Sequence, residues 1–370
     1  MKDTAIAQFI PWPDNVGDAK FVVAGPCSAE SRTQMMETAA GLAAHRLSAL
    51  RAGVWKPRTR PGSFEGSGSR GLEWLKRAGD SIGVPVATEV AHPRHVEQCL
   101  RHDIDILWIG ARTTGDPFAV QALADALRGV DIPVLIKNPV SPDLGLWIGA
   151  LERVGRAGVK KLAVIHRGFS TLRSGDYRNS PTWRIPIELR TRRPDVPLLC
   201  DPSHICGRRR LLLGVAQSAM DLLFDGLMLE VHNDPRHALS DSRQQLTPRG
   251  FDELLNRLRI KKPSATDGDS RVDMEVAALR GEIDELDKSI IDDLARRMEI
   301  VRKIGTYKKE RSISSFQPGR WQEIIQSRTR QGADKGLSEN FVRLIIQHVH
   351  EEALRQQGLL GTEVPPPDAL

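Results

Sequence analysis

Residues 84–111 read VPVATEVAHPRHVEQCLRHDIDILWIGA: a short β-branched run, a longer amphipathic stretch, then a second apolar run closed by glycine. Near-continuous apolar runs of this length, bounded by Gly or Pro and separated by a helical pattern, mark strands buried on both faces of a parallel sheet. The same unit recurs in both directions along the chain. The candidate strands are FVVAG at 21, LSALRAG at 47, VPVATEV at 84, ILWIGA at 106, PVLIKN at 133, KLAVIHRG at 161, VPLLCDPS at 196 and GLMLEVH at 226. Eight strand-helix units between residues 21 and about 260 predict a TIM (β/α)8 barrel. A doubly wound open sheet is the alternative. Its dinucleotide fingerprint would be a glycine-rich turn after the first strand, and GPCSAE stands there instead.

At 370 residues the chain exceeds the length at which one core stops growing, so a second, smaller domain is expected. With 40% hydrophobic and 27% charged residues the composition is globular, and no apolar run could span a bilayer. The N-terminal segment MKDTAIAQFIPWPDN is broken by Asp3, Gln8 and two prolines before any signal core could form, which predicts a cytoplasmic address. Cys27, Cys99, Cys200 and Cys206 suggest no disulfide framework. The net charge of +6 comes without a basic run or interleaved stacking aromatics, so small anionic substrates are expected rather than nucleic acid.

The barrel is expected to occupy residues 1–262. KKPSATDGDSR, at 261–271, has no apolar periodicity and reads as a tether, placing a linker at 263–272. Beyond it, Leu279, Ile283, Leu286, Ile290, Leu294, Met298, Val301 and Ile304 recur every three or four residues, predicting one long helix from about Asp273 to Lys309. At about 55 Å it is too long for a small lone domain to cover, so a partner helix from another chain is implied. Two more helices are predicted, near 320–330 and 338–357 with Ser338 as N-cap, giving a three-helix, all-α dimerising domain at 273–358 and a disordered tail at 359–370.

In a TIM barrel the reacting groups sit at the C-terminal ends of the strands. Here those ends carry Cys27, then Arg51 leading to Lys56, Arg58 and Thr59, then Glu89, Arg112, Lys137 with Asn138, His166 with Arg167, Asp201 with His204, and Glu230 with His232. So many cations around one mouth need anions to offset their repulsion, and arginine forks beside lysine point charges suit two phosphorylated ligands. Cys27, His204, Glu230 and the later Asp241 form a set suited to a divalent transition metal, which would polarise a carbonyl. Taken singly, Cys27 could be a small core residue and the arginines a solvated rim. Taken together at strand ends, they read as one site.

GPCSAE, KPRTRPGSFEG, GARTT, IKNP, HRG, DPSH, EVH and the SD at 240–241 resemble, in order and spacing, the motif series of the 3-deoxy-D-arabino-heptulosonate 7-phosphate (DAHP) synthases, in particular the compact type I-beta branch. The resemblance implies Cys27, His204, Glu230 and Asp241 as ligands of a divalent ion, manganese first, with iron, cobalt or zinc as alternatives. It implies a phosphoenolpyruvate site at Arg51, Lys56, Arg112, Lys137 and Arg167, and an erythrose 4-phosphate site at Arg58 and Thr59. Glu89 is counted with these substrate-binding residues, and Lys137 or a metal-adjacent water is the proton-transfer candidate. Octulosonate-phosphate synthases share the barrel but carry Asn where this chain has Pro57, which favours the four-carbon acceptor.

On the long helix, Arg297 and Lys308 are eleven residues apart and return to one face roughly 16 Å apart, whereas Arg280 is too far away to join them except from an antiparallel partner chain. With Arg320 and Gln356, this series looks like the all-helical chorismate mutases, whose sites are built from two intertwined protomers. The resemblance implies that Arg280 of one chain and Arg297 of the other grip carboxylates, that Lys308 and Gln356 act catalytically at the ether oxygen, and that Arg320 supports them. The expectation is therefore a bifunctional shikimate-pathway enzyme, a homodimer or tetramer, whose synthase is inhibited by chorismate or prephenate at the helical domain. The alternatives are a catalytically silent helical domain that only regulates or dimerises, and an octulosonate-phosphate synthase barrel.

Overall fold

The computed structural model describes residues 21–56, 62–170, 176–260, 270–314 and 317–358. Arg58 and Thr59 lie outside the described residues, as do most of the expected linker and the tail. The chain divides into two compact units, Met1–Pro263 and Ser264–Leu370.

The first unit is a closed barrel of eight parallel strands: β1 (Phe21–Gly25), β2 (Ala49–Arg51), β3 (Val86–Val90), β4 (Ile106–Ile109), β5 (Val134–Lys137), β6 (Leu162–His166), β7 (Leu198–Cys200) and β8 (Gly226–Glu230), with β8 pairing back onto β1. All eight expected strands are present, and β2 and β7 shrink to three residues each. Outward-facing Leu50, Val86, Leu107 and Val134 pack against the surrounding helices, while Val23, Ala49, Ala87, Trp108, Leu135, Ala163, Leu199 and Met228 form a separate interior cluster. Because a strand repeats every two residues, the next inward positions above that cluster are Arg51, Glu89, Lys137, Arg167, Asp201 and Glu230. One turn of the pleat thus converts an apolar plug into a charged floor. Gly25 leaves room for this, since a Cβ there would lie 2.2 Å from the Arg51 carbonyl.

In the second unit the long helix runs Ser270–Glu310, followed by helices Pro318–Ala333 and Glu339–Gln356. The middle helix starts at Pro318, whose missing N–H costs nothing in a first turn. Ser338 caps the last helix by accepting the Phe341 N–H, as its position predicts. Met298, Val301 and Ala353 are buried together, with Val349 packed against them. Leu279, Ile283, Leu286 and Ile290 are each more than half exposed and Ile304 is also exposed, whereas Met298 and Val301 of the same stripe are covered. Among the described residues, no helix is long and apolar enough to cross a membrane.

Candidate active site

Strand register brings the polar ends together. Gly25 of β1 pairs with Glu230 of β8, so the turn bearing Cys27 emerges beside Glu230. Asp201 follows β7 directly and opens the short helix Pro202–Cys206, accepting the His204 N–H as its cap and thereby fixing where His204 points. Asp241 sits in a left-handed turn at φ 49°, a conformation that Asp tolerates better than most residues.

Three of the four expected metal ligands, Cys27, Glu230 and Asp241, offer ligand atoms within 4.8 Å of one another. The fourth, His204, places Nε2 at 3.7 Å from Glu230 Oε1 and 3.8 Å from Asp241 Oδ2. Its Nδ1 lies 2.8 Å from Asp201 Oδ2, so the imidazole is oriented from behind and Nε2 faces the cluster. Burial, then the Glu230 charge, pushes the Cys27 thiol up to about 12, with the nearby Lys56 charge acting the other way. A soft sulfur, an imidazole and two carboxylates converging at these separations fit a divalent transition ion, which would displace the thiol proton on binding.

Around this cluster stand the cations. Arg51 is 1% exposed, donates to Glu230 Oε1 at 3.2 Å and lies with its guanidinium carbon 4.9 Å from the Trp108 ring centroid. Its Nε and Nη1 are buried without a hydrogen-bond partner among the described residues. Lys137 Nζ donates to Asp201 Oδ2 at 2.7 Å, and Lys56 Nζ to Cys27 Sγ at 3.2 Å. Asp201 is fully buried, yet His204 and Lys137 hold its carboxyl well below the usual range, so it stays ionised between them. Burial pulls Arg167 down to about 10, against the charge of Asp201, which leaves it cationic at neutral pH. Its backbone N–H is held by Asn138 Oδ1 at 2.7 Å. Glu89 accepts the Trp108 indole N–H at 3.0 Å and presses so close to Gly110 that a Cβ there would meet its carboxylate oxygen at 2.1 Å. A cavity of about 530 Å³ opens over these groups, lined by Cys27, Lys56, Glu89, Arg112, Lys137, Arg167, His204 and Asp241 among others.

The DAHP synthetase I family model matches residues 15–262. The chain belongs to that family. The chorismate mutase type II model matches residues 279–358, so the DAHP synthase barrel is joined to a chorismate mutase domain, and both enzyme families are present in one shikimate-pathway chain. A phospho-2-dehydro-3-deoxyheptonate aldolase of Thermotoga maritima is 34% identical over 245 residues, covering 66% of this chain and 70% of that protein. A 2-dehydro-3-deoxyphosphooctonate aldolase of Rhodopseudomonas palustris is 31% identical over 277 residues, covering 65% and 90%. Among solved structures, the Thermotoga maritima DAHP synthase matches with TM-score 0.58 and 32% identity, over 64% of this chain and 67% of that one.

In the mutase domain, Arg297 and Lys308 lie on one continuous helix, and Arg297 Nη1 is buried without a partner among the described residues. Arg280 is exposed on the same helix, and Arg320 donates to Glu323 at 2.6 Å on its own helix. Gln356 takes other partners. It donates to Glu352 Oε1 at 2.7 Å and accepts from Arg302 at 3.0 Å, whereas the next residue, Gln357, packs against Gly305, where a Cβ would meet its Cγ at 3.1 Å. The physical reason is register: Gln357 lies one turn beyond the buried Ala353, and Gln356 is about 100° off that face. That spacing, read against the apolar positions of the last helix, tells the two glutamines apart. Arg178 and Gln244, which bond to the metal-ligand cluster, also went unread, because a rim arginine and a loop glutamine carry no distinguishing pattern.

Proposed function

We propose that the barrel condenses phosphoenolpyruvate with erythrose 4-phosphate to DAHP and inorganic phosphate, using a divalent ion held by Cys27, His204, Glu230 and Asp241. The observation that carries this reading is the convergence of those four side chains beneath a ring of cations at the strand tips. When bound, the ion supplies Lewis acidity toward the aldehyde oxygen, with manganese the first candidate. The free donors of Arg51, with Lys56, Arg112, Lys137 and Arg167, receive the carboxylate and phosphate of phosphoenolpyruvate. Arg58 and Thr59 receive the acceptor's phosphate, and Glu89 completes the substrate pocket. C3 of phosphoenolpyruvate attacks the aldehyde carbon, water adds at C2, and the bond from C2 to the phosphate oxygen breaks. Lys137, held by Asp201, moves the proton.

The helical domain rearranges chorismate to prephenate, a reaction that needs a pocket for two carboxylates and donors at the breaking ether oxygen. Arg297 and Lys308 line one face, with Gln357 rather than Gln356 turned toward it and Arg280 reaching in from a partner protomer. The half-exposed stripe from Leu279 to Ile290 is the surface through which two cytoplasmic copies associate. Chorismate or prephenate bound at the mutase domain inhibits the barrel.

A five-carbon acceptor is the second reading, favoured by the octonate aldolases among the relatives. Phosphate release by the full chain from phosphoenolpyruvate with erythrose 4-phosphate, with arabinose 5-phosphate, and with added prephenate separates them. The proposal expects turnover with the four-carbon aldehyde and its suppression by prephenate. Turnover with the five-carbon aldehyde alone contradicts it.

A further inference from the structure

Gln244 carries no charge and is 1% exposed, yet it touches two of the four metal-ligand candidates at once. Its Nε2 donates to Glu230 Oε2 at 2.6 Å and reaches Asp241 Oδ2 at 3.4 Å. Its Oε1 accepts from Arg178 Nη1 at 2.9 Å, and the same nitrogen donates to Asp241 Oδ1 at 2.9 Å. The Gln244 backbone N–H donates to the Asp241 carbonyl at 3.1 Å, closing the turn in which Asp241 takes its positive φ. Only one amide orientation satisfies both neighbours. Reversed, the amide would set its oxygen against a carboxylate and its NH2 against a guanidinium, where neither can bond.

The neutrality of this residue matters. Arg51 already occupies Glu230 Oε1, and a second cation on Oε2 would compete with a divalent ion for the same negative charge. An amide fixes the plane of the carboxylate and leaves its charge available. We infer that Gln244 is a positioning residue that holds Glu230 and Asp241 in register for one shared divalent ion, with Arg178 setting the direction of its amide. This rests on the metal-site reading above. Partners that orient metal ligands in this way typically contribute about 10–100-fold in metal affinity.

The test is Co2+ titration of the chelator-treated full chain, followed by absorption. Bound Co2+ reports Cys27 through a near-ultraviolet thiolate charge-transfer band and the arrangement of the other ligands through its visible bands. Gln244→Met keeps length and volume but removes the amide. It is expected to weaken Co2+ binding about 10–100-fold and to shift the visible bands while the thiolate band persists. Gln244→Asn, with its amide one methylene short, is expected to fall between wild type and the methionine variant. Wild-type affinity and an unchanged visible spectrum in both variants overturn the inference. If circular dichroism shows the methionine variant unfolded, the asparagine variant decides by the same criterion. If wild type takes up no Co2+, or if Cys27→Ser leaves the charge-transfer band intact, the metal-site reading itself fails and the role of Gln244 falls with it.

Discussion

Arg51 and Glu230 form an ion pair at 3.2 Å, with 1% and 0% of their side chains exposed. A pair this deeply buried recovers its desolvation cost only when the remaining donors are also satisfied. Two of the Arg51 nitrogens, Nε and Nη1, are buried without a partner among the described residues. That is the observation behind the proposed anion site at Arg51, whose guanidinium the Glu230 carboxylate holds in place.

Arg51→Lys tests this. Lysine keeps the charge but loses the fork, so hydrogen bonds to a charged group worth about 1.5–3 kcal/mol each disappear. The expected outcome is a drop of about 100-fold in kcat/KM for phosphoenolpyruvate, carried mainly by KM. Steady-state kinetics measures it, and an unchanged KM would remove Arg51 from the substrate site.

His166 gives a pH dependence of stability. It is fully buried among Trp183, Phe169, Phe224 and Trp147, with ring centroids 5.2–6.4 Å away, and burial pushes its imidazole down to about 3 from 6.5. Between those values the unfolded chain binds a proton that the folded chain does not, so stability rises with pH across that window and is flat above it. The expected slope is about 1.4 kcal/mol per pH unit. Urea midpoints of wild type and His166→Leu between pH 4 and 8 check it: wild type should lose stability relative to the leucine variant as pH falls below 6.5. A constant difference contradicts the assignment.

In the mutase domain the register of the last helix separates two neighbouring glutamines. Gln357→Ala is expected to slow chorismate loss about 100-fold, as removal of a donor at a developing oxyanion does, while Gln356→Ala, whose bonds among the described residues go to Glu352 and Arg302, changes it severalfold at most. The decay of chorismate absorbance reads both, and the opposite ranking would return the role to Gln356.

The strands were legible because runs such as ILWIGA and PVLIKN are apolar on both faces and punctuated by Gly or Pro. The same property hid the interior. Ala87 faces in and Val86 out, and both are apolar, so nothing in the run tells which side the next charge will take. Only the barrel's two-residue repeat shows that Arg51, Lys137 and Glu230 stand on one floor. Cys27, His204, Glu230 and Asp241 could be named from their motifs, but the contacts made through Asp201, Gln244 and Arg178 span anything from 3 to 63 residues of sequence, a spacing with no period. Gln356 was placed by its position in the family resemblance, where only the helical phase distinguishes it from Gln357.

The proposed condensation depends on one ion seated among Cys27, His204, Glu230 and Asp241. Its most direct test is to strip the full chain of metal and titrate it with Mn2+, following phosphoenolpyruvate consumption in the presence of erythrose 4-phosphate. The predicted result is a rate that climbs from near zero and saturates at one ion per chain, and that Cys27→Ser does not recover. Full turnover by the stripped chain in excess chelator would contradict it.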